Sequence, residues 1–430
     1  MSTVTTKPAP ARPARTTSTL APISWRGPIV YGFFALASLI FFALLPAGGT
    51  ETTFRISTAT DFFQIPALTV SSTGFALVLS LVALGLAGLA TWAAWTRRRL
   101  GVWLPVVFGL VVVFAFLAWA GAGKSAIPLT GLLQGSLFLA VPLVFGALSG
   151  LLCERSGIIN IAIEGQLLAG AFLAAVVASV TSSAYMGLVA APIAGALVGL
   201  LLVIFSVKYW VNQIIVGVVL NVLVVGVTSY LYSTVLAADP ATWNSRNPLP
   251  VIEIPVLSQI PVLGPVLFRQ TLLVYLMYAA VILLQIFVFK SRWGLRMRAV
   301  GEHPKAADTV GIKVNVTRVK NTILGGAVAG LGGAFFTVAA GLAFGKEMTG
   351  GKGFIALAAM ILGRWNPMGA LAAALLFGFS DNLRTVLGIV GTPIPSQIML
   401  MTPYVVTIFA VAGLVGKVRA PAANGIPYVK

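Results

Sequence analysis

Long apolar runs separated by short polar breaks dominate this chain. The runs fall near residues 28–46, 74–95, 101–120, 129–150, 160–180, 185–207, 212–236, 271–289, 322–343, 353–363, 367–386 and 397–416. A helix of about 20 apolar residues crosses a ~30 Å hydrocarbon core, so most of these runs read as membrane spans. The run at 353–363 is too short for a straight crossing and follows the glycine-rich GKEMTGGKG (345–353), so a broken or re-entrant helix is expected there. The expected fold is all-α: a polytopic helical bundle of about 10–12 transmembrane helices.

One polar island interrupts the pattern at 290–320, KSRWGLRMRAVGEHPKAADTVGIKVNVTRVK, with eight Lys or Arg against only Glu302 and Asp308. With twelve crossings, 21 of the 28 basic residues fall on the island's side of the membrane, and six (Arg55, Lys124, Arg246, Arg269, Lys346 and Lys352) on the other, with Arg384 inside a span. Lys and Arg collect in cytoplasmic loops, so the island and both termini are expected in the cytoplasm. The longest loop on the opposite side, 237–270, contains six prolines and reads as an irregular cap or a plain connector.

Composition agrees. Charged residues make up 9% of the chain, hydrophobic residues 58%, and mean hydropathy is +0.99, values no water-soluble domain of this length could accommodate. The net charge of +18 is explained by loops against anionic headgroups, making membrane lipid rather than nucleic acid the expected partner. A single cysteine, Cys153, excludes an internal disulfide, and one Cys with one His gives no transition-metal site; no metal and no cofactor are expected. Residues 1–27, rich in Thr, Pro, Ala and basic residues, read as a disordered tail followed by an uncleaved first span. The remaining divisions are N-terminal membrane helices at 28–125, a core at 126–418 and a short tail at 419–430.

Gly326 and Gly330, and Gly195 and Gly199, form two G-x-x-x-G pairs, read as close helix packing. Within the island, Pro304 suits a first helical position and Gly311 the left-handed residue past the end, so 304–310 is expected as a helix of about two turns, roughly 10 Å long. Ala306, Ala307 and Val310 would share one side, fitted either to a groove on another protein or to the membrane surface. Among intramembrane polar residues, Asn160 and Glu164, four apart, would share a helix face near a substrate path; alternatively Glu164 pairs with Arg155 or caps a broken helix. Asn221 lies deepest of Asn212, Gln213 and Asn221, and either lines the path or bonds a neighbouring helix. Asp381 and Arg384 read as a pair at a helix end. Gly123-Lys124-Ser125 ends like a phosphate loop, but Ala118 stands where its first glycine belongs, and no G-x-x-x-x-G-K-[ST] occurs in the chain.

G-E-H-P-K-A-A-D-T-V-G-I (301–312) resembles the cytoplasmic coupling-loop motif of ABC importer permeases, with His303 where Asn is common. CERSGIINIAIEGQLLAGA (153–171), NQIIVGVVLN (212–221), GLRMRAVGEHP (294–304), GFIALAAMILGRWNPMGALAAALLFG (353–378) and PIPSQIMLMTPYV (393–405) are similar to the nucleoside-type branch of the branched-chain amino acid, sugar and nucleoside permease superfamily. The resemblance covers most of 130–416 and none of the first 125 residues. It implies a transport subunit rather than an enzyme, importing nucleosides by alternating access. Gly301, Glu302, Pro304, Ala306, Ala307 and Gly311 would couple it to a cytoplasmic ABC ATPase, beside a second permease subunit and an extracellular substrate-binding lipoprotein. Simple sugars or branched-chain amino acids remain alternative cargoes. An ion-coupled secondary transporter is a further alternative, weakened because only Glu164 and Asp381 could serve as intramembrane carboxylates.

Overall fold

The computed structural model describes residues 25–45, 49–98, 100–101, 103–392, 401 and 419–429. Among them, ten helices are long and apolar enough to cross a membrane. These are α1 (Arg26–Leu44), α2 (Ser72–Trp95), α3 (Trp103–Ala120), α4 (Leu129–Glu154), α5 (Ile163–Thr181), α6 (Ala184–Lys208) and α7 (Gln213–Leu236), then α9 (Leu272–Lys290), α12 (Val314–Ala339) and α14 (Pro367–Val390). Shorter helices are α8 (Pro240–Trp243), α10 (Arg292–Glu302), α11 (Pro304–Thr309) and α13 (Lys352–Leu362). The chain is a multi-pass membrane protein. Eleven of the twelve expected runs coincide with described helices. The span expected at 397–416 and the segment 393–405 lie, Met401 apart, outside the described residues. So does most of the tail expected at 1–27, although Arg26 and Gly27 are already helical.

Five short strands lie at one end of the bundle. β1 (Glu51–Arg55) and β2 (Leu68–Ser71) form an antiparallel pair between α1 and α2, and β3 (Ile127–Pro128), just before α4, joins β1 in parallel. Phe54 of β1 is buried with Leu117 of α3, Leu132 of α4 and Leu387 of α14, which ties the first three helices to the core at this hairpin end. β4 (Val251–Glu253) and β5 (Arg269–Thr271) pair within the loop 237–270. The backbone of Phe62, between β1 and β2, donates to Gln259 of that loop (2.9 Å).

The core centres on α4, α5, α6 and α12. Hydrophobic driving force is absent between helices in lipid, so close backbone approach must supply the attraction. The two G-x-x-x-G pairs supply it against each other. A Cβ at Gly195 would collide with the Gly326 carbonyl, and one at Gly330 would collide with the Ala191 carbonyl and come within 2.9 Å of the Gly195 Cα. From α5, a Cβ at Gly170 would strike the Gly330 backbone. Three helices thus cross at one point that only glycine permits.

α13 is the short helix expected from the sequence. Its 11 residues span about 16 Å, half of a membrane core. The non-helical residues 340–351 bring the chain from the end of α12 to its start. Asn366 then caps α14, its carbonyl oxygen accepting from the Met368 N–H (2.9 Å), with Pro367 at the first position.

Gly330→Val should lower the thermal unfolding midpoint of detergent-purified protein, at a cost of roughly 1–3 kcal/mol for overpacking or more where backbone must move. Gly226→Ala on α7, where a Cβ meets nothing within 4 Å, should leave the midpoint unchanged.

Candidate functional site

The island is more helical than its charge implies. Ser291 breaks the chain after α9 and caps α10, its hydroxyl accepting from the Gly294 N–H (3.0 Å). α10 buries Gly294, Met297, Val300 and Gly301, a stripe at helical spacing inside a basic segment. α11 begins at Pro304 and ends at Thr309, one residue before the expected end, and Gly311 takes φ +84°, the left-handed conformation expected of it. His303 stands at the cap position without a capping side-chain bond. The expected common side of Ala306, Ala307 and Val310 divides. Ala307 is buried with Val300, Val314 and Tyr428, whereas Ala306 is exposed and Val310 is 75% exposed. Residues 306 and 310, four apart, stack on one face, while 307 is turned about 100° away from 306. The surface offered outward therefore consists of Glu302, His303, Lys305, Ala306, Thr309 and Val310.

Residues 419–429 strap this unit to the bundle. The Ala423 N–H donates to the Gly301 carbonyl (2.8 Å), and the Ala422 N–H to the Glu302 carboxylate (3.3 Å). Gly425 donates to the Gly157 carbonyl (3.3 Å), and Asn424 Nδ2 to Glu154 Oε2 (2.9 Å). Glu154 Oε2 also accepts from Trp365 Nε1 (2.7 Å), and the Trp365 carbonyl accepts from Arg155 Nε and Nη2 (3.0 and 2.8 Å). Arg318, expected among the headgroup-binding cations, is instead buried, its Nη1 donating to the Ile426 carbonyl (2.9 Å). A Cβ at Gly301 would collide with the Arg155 carbonyl, so this residue sits directly on the turn after α4. Burial holds the Arg155 guanidinium below the ordinary arginine pKa, while Glu302 pushes it up and Arg298 down. The Arg155 and Arg298 guanidiniums both lie over the Phe289 ring, 5.6 and 5.3 Å from its centre, which joins the end of α9 to the same cluster.

The three candidate path residues hold broken backbone together. Residues 155–162 are not helical, so Asn160 and Glu164 do not share a helix face. Asn160 is fully buried and donates to Ser149 Oγ (3.1 Å) and Gln166 Oε1 (3.0 Å). Gln213 Oε1 accepts from the Ile159 N–H (2.7 Å). Asn221 donates to the Ile161 carbonyl (2.9 Å) and accepts from the Gly165 N–H (2.8 Å), so it caps the head of α5 from α7. Glu164 accepts from Thr349 Oγ1 (2.7 Å) and the N–H groups of Gly351 (2.8 Å) and Gly353 (2.6 Å). The carboxylate thus lies in the first turn of α5 and at the head of α13, where both helix dipoles favour negative charge. Arg155 is not its partner. Asp381 pairs with Arg384 (3.2 Å), as expected from their spacing, and also with Lys352 of α13 (2.9 Å).

This break-and-cap architecture sits within a region already defined by homology. The sequence model of the family described as branched-chain amino acid transport system / permease component matches residues 132–411. The chain belongs to this permease family. The permease is similar to the guanosine ABC transporter permease protein NupQ of Bacillus subtilis (strain 168), 37% identical over 308 residues, 70% of this chain and 96% of the relative. It is similar to the nucleoside ABC transporter permease protein NupC of Lactococcus lactis subsp. cremoris (strain MG1363), 37% identical over 304 residues, 68% of this chain and 95% of the relative. It is also similar to the putative glucose ABC transporter permease protein TsgC13 of Haloferax volcanii, 32% identical over 254 residues, 59% of this chain and 77% of the relative. No solved structure matches it.

Sequence reasoning missed Glu154 and the strap, and named Gln213 without foreseeing its bond to Ile159. The string E-R at 154–155 gives no hint that its carboxylate meets residues 365 and 424, because those contacts join positions more than 200 residues apart. Replacing Glu164 by Ala orphans buried N–H donors of the permease at about 1–3 kcal/mol each. Glu164→Ala should therefore lower the unfolding midpoint more than Glu164→Gln, which keeps one acceptor oxygen; thermal unfolding of both purified variants checks the order.

Proposed function

We propose that this permease is a membrane-spanning subunit of an ATP-driven importer of nucleosides. The observation that carries the reading is its 37% identity to a guanosine permease and a nucleoside permease over nearly their whole lengths. In this reading the island end is cytoplasmic, which the distribution of Lys and Arg supports. The chain has no phosphate loop, so a partner ATPase hydrolyses the nucleotide. It docks on the outward surface of α11 and its flanks, Glu302 to Gly311, and moves the Arg155–Trp365 turn through Gly301. A second permease subunit completes the pore, and a substrate-binding lipoprotein delivers cargo at the hairpin end. Alternating access follows when cassette closure shifts the strapped unit and reorients the bundle.

An ion-coupled mechanism receives no support from the intramembrane carboxylates. Glu164 is committed to α13 and Asp381 to Lys352 and Arg384. A sugar cargo is the second reading, favoured by the similarity to TsgC13. Uptake of labelled guanosine competed by unlabelled ribose or leucine separates the cargoes: competition by nucleosides alone is expected.

The docking role has its own test. Proline cannot adopt the left-handed conformation of Gly311, and Glu302→Lys reverses a charge on the docking surface. Both Gly311→Pro and Glu302→Lys should remain in the membrane and abolish uptake while the ATPase partner keeps its basal hydrolysis. Wild-type uptake by both variants would overturn the assignment.

A further inference from the structure

A second candidate site lies away from the island and the capped breaks. A cavity of about 660 Å³ opens at the hairpin end. It is bounded by the start of α4, the Pro248–Val251 and Pro265–Thr271 segments of the loop over it, the end of α12, and Thr58 from the connection between β1 and β2. Its volume falls inside the range of roughly 300–1,000 Å³ found for small-molecule sites. Its α4 wall is fixed, because Asn382 of α14 donates to the Leu132 carbonyl (2.7 Å) and fills the space beside Gly135.

Resting on the nucleoside reading above, we propose that this cavity is the outer nucleoside-binding site of the permease, with Gln134 and Thr271 as its free hydrogen-bonding groups and Phe138 as its aromatic wall.

The polar groups are the first support. Thr271 is only 6% exposed, lines the cavity, and its hydroxyl has no hydrogen-bond partner among the described residues. A buried hydroxyl left unpaired costs free energy unless something else satisfies it. Gln134 also lines the cavity, and its amide makes no hydrogen bond within the described residues. Gln270 is held by its own donors, Nε2 donating to the Val266 carbonyl (2.8 Å), which leaves its carbonyl oxygen as an acceptor. The site therefore offers an amide with both donor and acceptor, a hydroxyl and a fixed carbonyl, the inventory that pairs base edges and ribose hydroxyls.

Charge is the second. The one ionic side chain of the lining, Arg269, pairs with Glu253 (2.9 Å) and donates to Thr60 Oγ1 (2.9 Å). An amino-acid zwitterion would enter without an unpaired countercharge for either end, whereas a neutral nucleoside needs none. Phe138, braced by Phe335 with ring centres 4.7 Å apart, supplies a face on which a base can stack.

The third support is the continuation below. Tyr278 and Gln285 also carry buried oxygens without a partner among the described residues. With Thr271 they recur every seven residues, close to one face of the α9 helix. The three positions cover about 21 Å, two thirds of a membrane core, and lead from the cavity to Phe289 in the coupling cluster. They continue the row of unpaired polar groups from the cavity into the bundle.

Cysteine accessibility in the intact transporter tests the site, since Cys153, the single native cysteine, is buried. Cells carrying Gln134→Cys are treated with a membrane-impermeant thiol reagent, with Glu51→Cys, at an exposed position of strand β1, as control. Labelling of Gln134→Cys should stop guanosine uptake, and millimolar guanosine, but not leucine, should slow the labelling. Labelling of Glu51→Cys should do neither. In parallel, Thr271→Val, nearly isosteric, should cut maximal guanosine uptake roughly tenfold, the scale of a hydrogen bond lost in a desolvated site, at unchanged membrane abundance. If guanosine is imported but labelled Gln134→Cys and Thr271→Val both keep wild-type uptake, the cavity assignment falls and the function stands. If the wild-type transporter imports ribose or leucine and not guanosine, the functional reading falls and takes the nucleoside assignment with it.

Discussion

A peptide group placed in lipid without a hydrogen-bond partner costs several kcal/mol, and this permease interrupts its helices twice inside the bundle. Both interruptions depend on side chains from elsewhere in the sequence. Glu164, at the head of α5, accepts the first N–H groups of α13, and Asn221 on α7 holds both sides of the break before α5. Gln213 and the Asn160–Gln166 pair complete the set. The half-length α13 can exist in a membrane only because a carboxylate replaces the missing turn of helix at its start. What reads as a substrate-binding set is thus the scaffold that allows the chain to leave helical geometry.

A second arrangement connects the two ends of the molecule. α9 begins just after Thr271 at the cavity and carries Phe289, beside two guanidiniums, in its last turn. α10 follows at once and packs Gly301 against the turn after α4, and residues 419–429 lace α10, α4 and α12 together. In the proposed importer such a body would transmit a push on α11, because few of its members can yield singly. Arg318 and Glu154 are buried and bonded, and glycine contacts leave no slack between the helices they join. Ser291 and His303 are the points where helices end and begin again.

Much of this was legible beforehand. Spacing of apolar runs located the helices within a few residues, the shortness of 353–363 foretold the broken crossing, and Pro304 and Gly311 marked a small helix inside a charged loop. The glycine pairs announced close packing, although not that they would meet each other. The face of α11 was misjudged because a six-residue helix has too few positions to define a buried stripe; Ala307 turns inward to meet Tyr428, a residue 121 positions later. Arg318 was taken for a surface cation because charge alone gives no warning of a carbonyl waiting at Ile426.

The sequence by itself determined that the chain lives in a membrane, which end of the bundle gathers positive charge, where it breaks its helices and which loop carries the motif that resembles a coupling loop. These are local properties: hydropathy over about 20 residues, charge in short loops, and the φ requirements of Gly and Pro. Tertiary structure alone decided what each intramembrane polar residue does. Asn160, Glu164 and Asn221 look the same in the sequence as Gln134, Thr271 and Tyr278. The first three found partners inside the protein, and the others have none among the described residues. A hydrogen bond depends on a few tenths of an ångström between groups far apart in the chain, and only the folded bundle sets that distance.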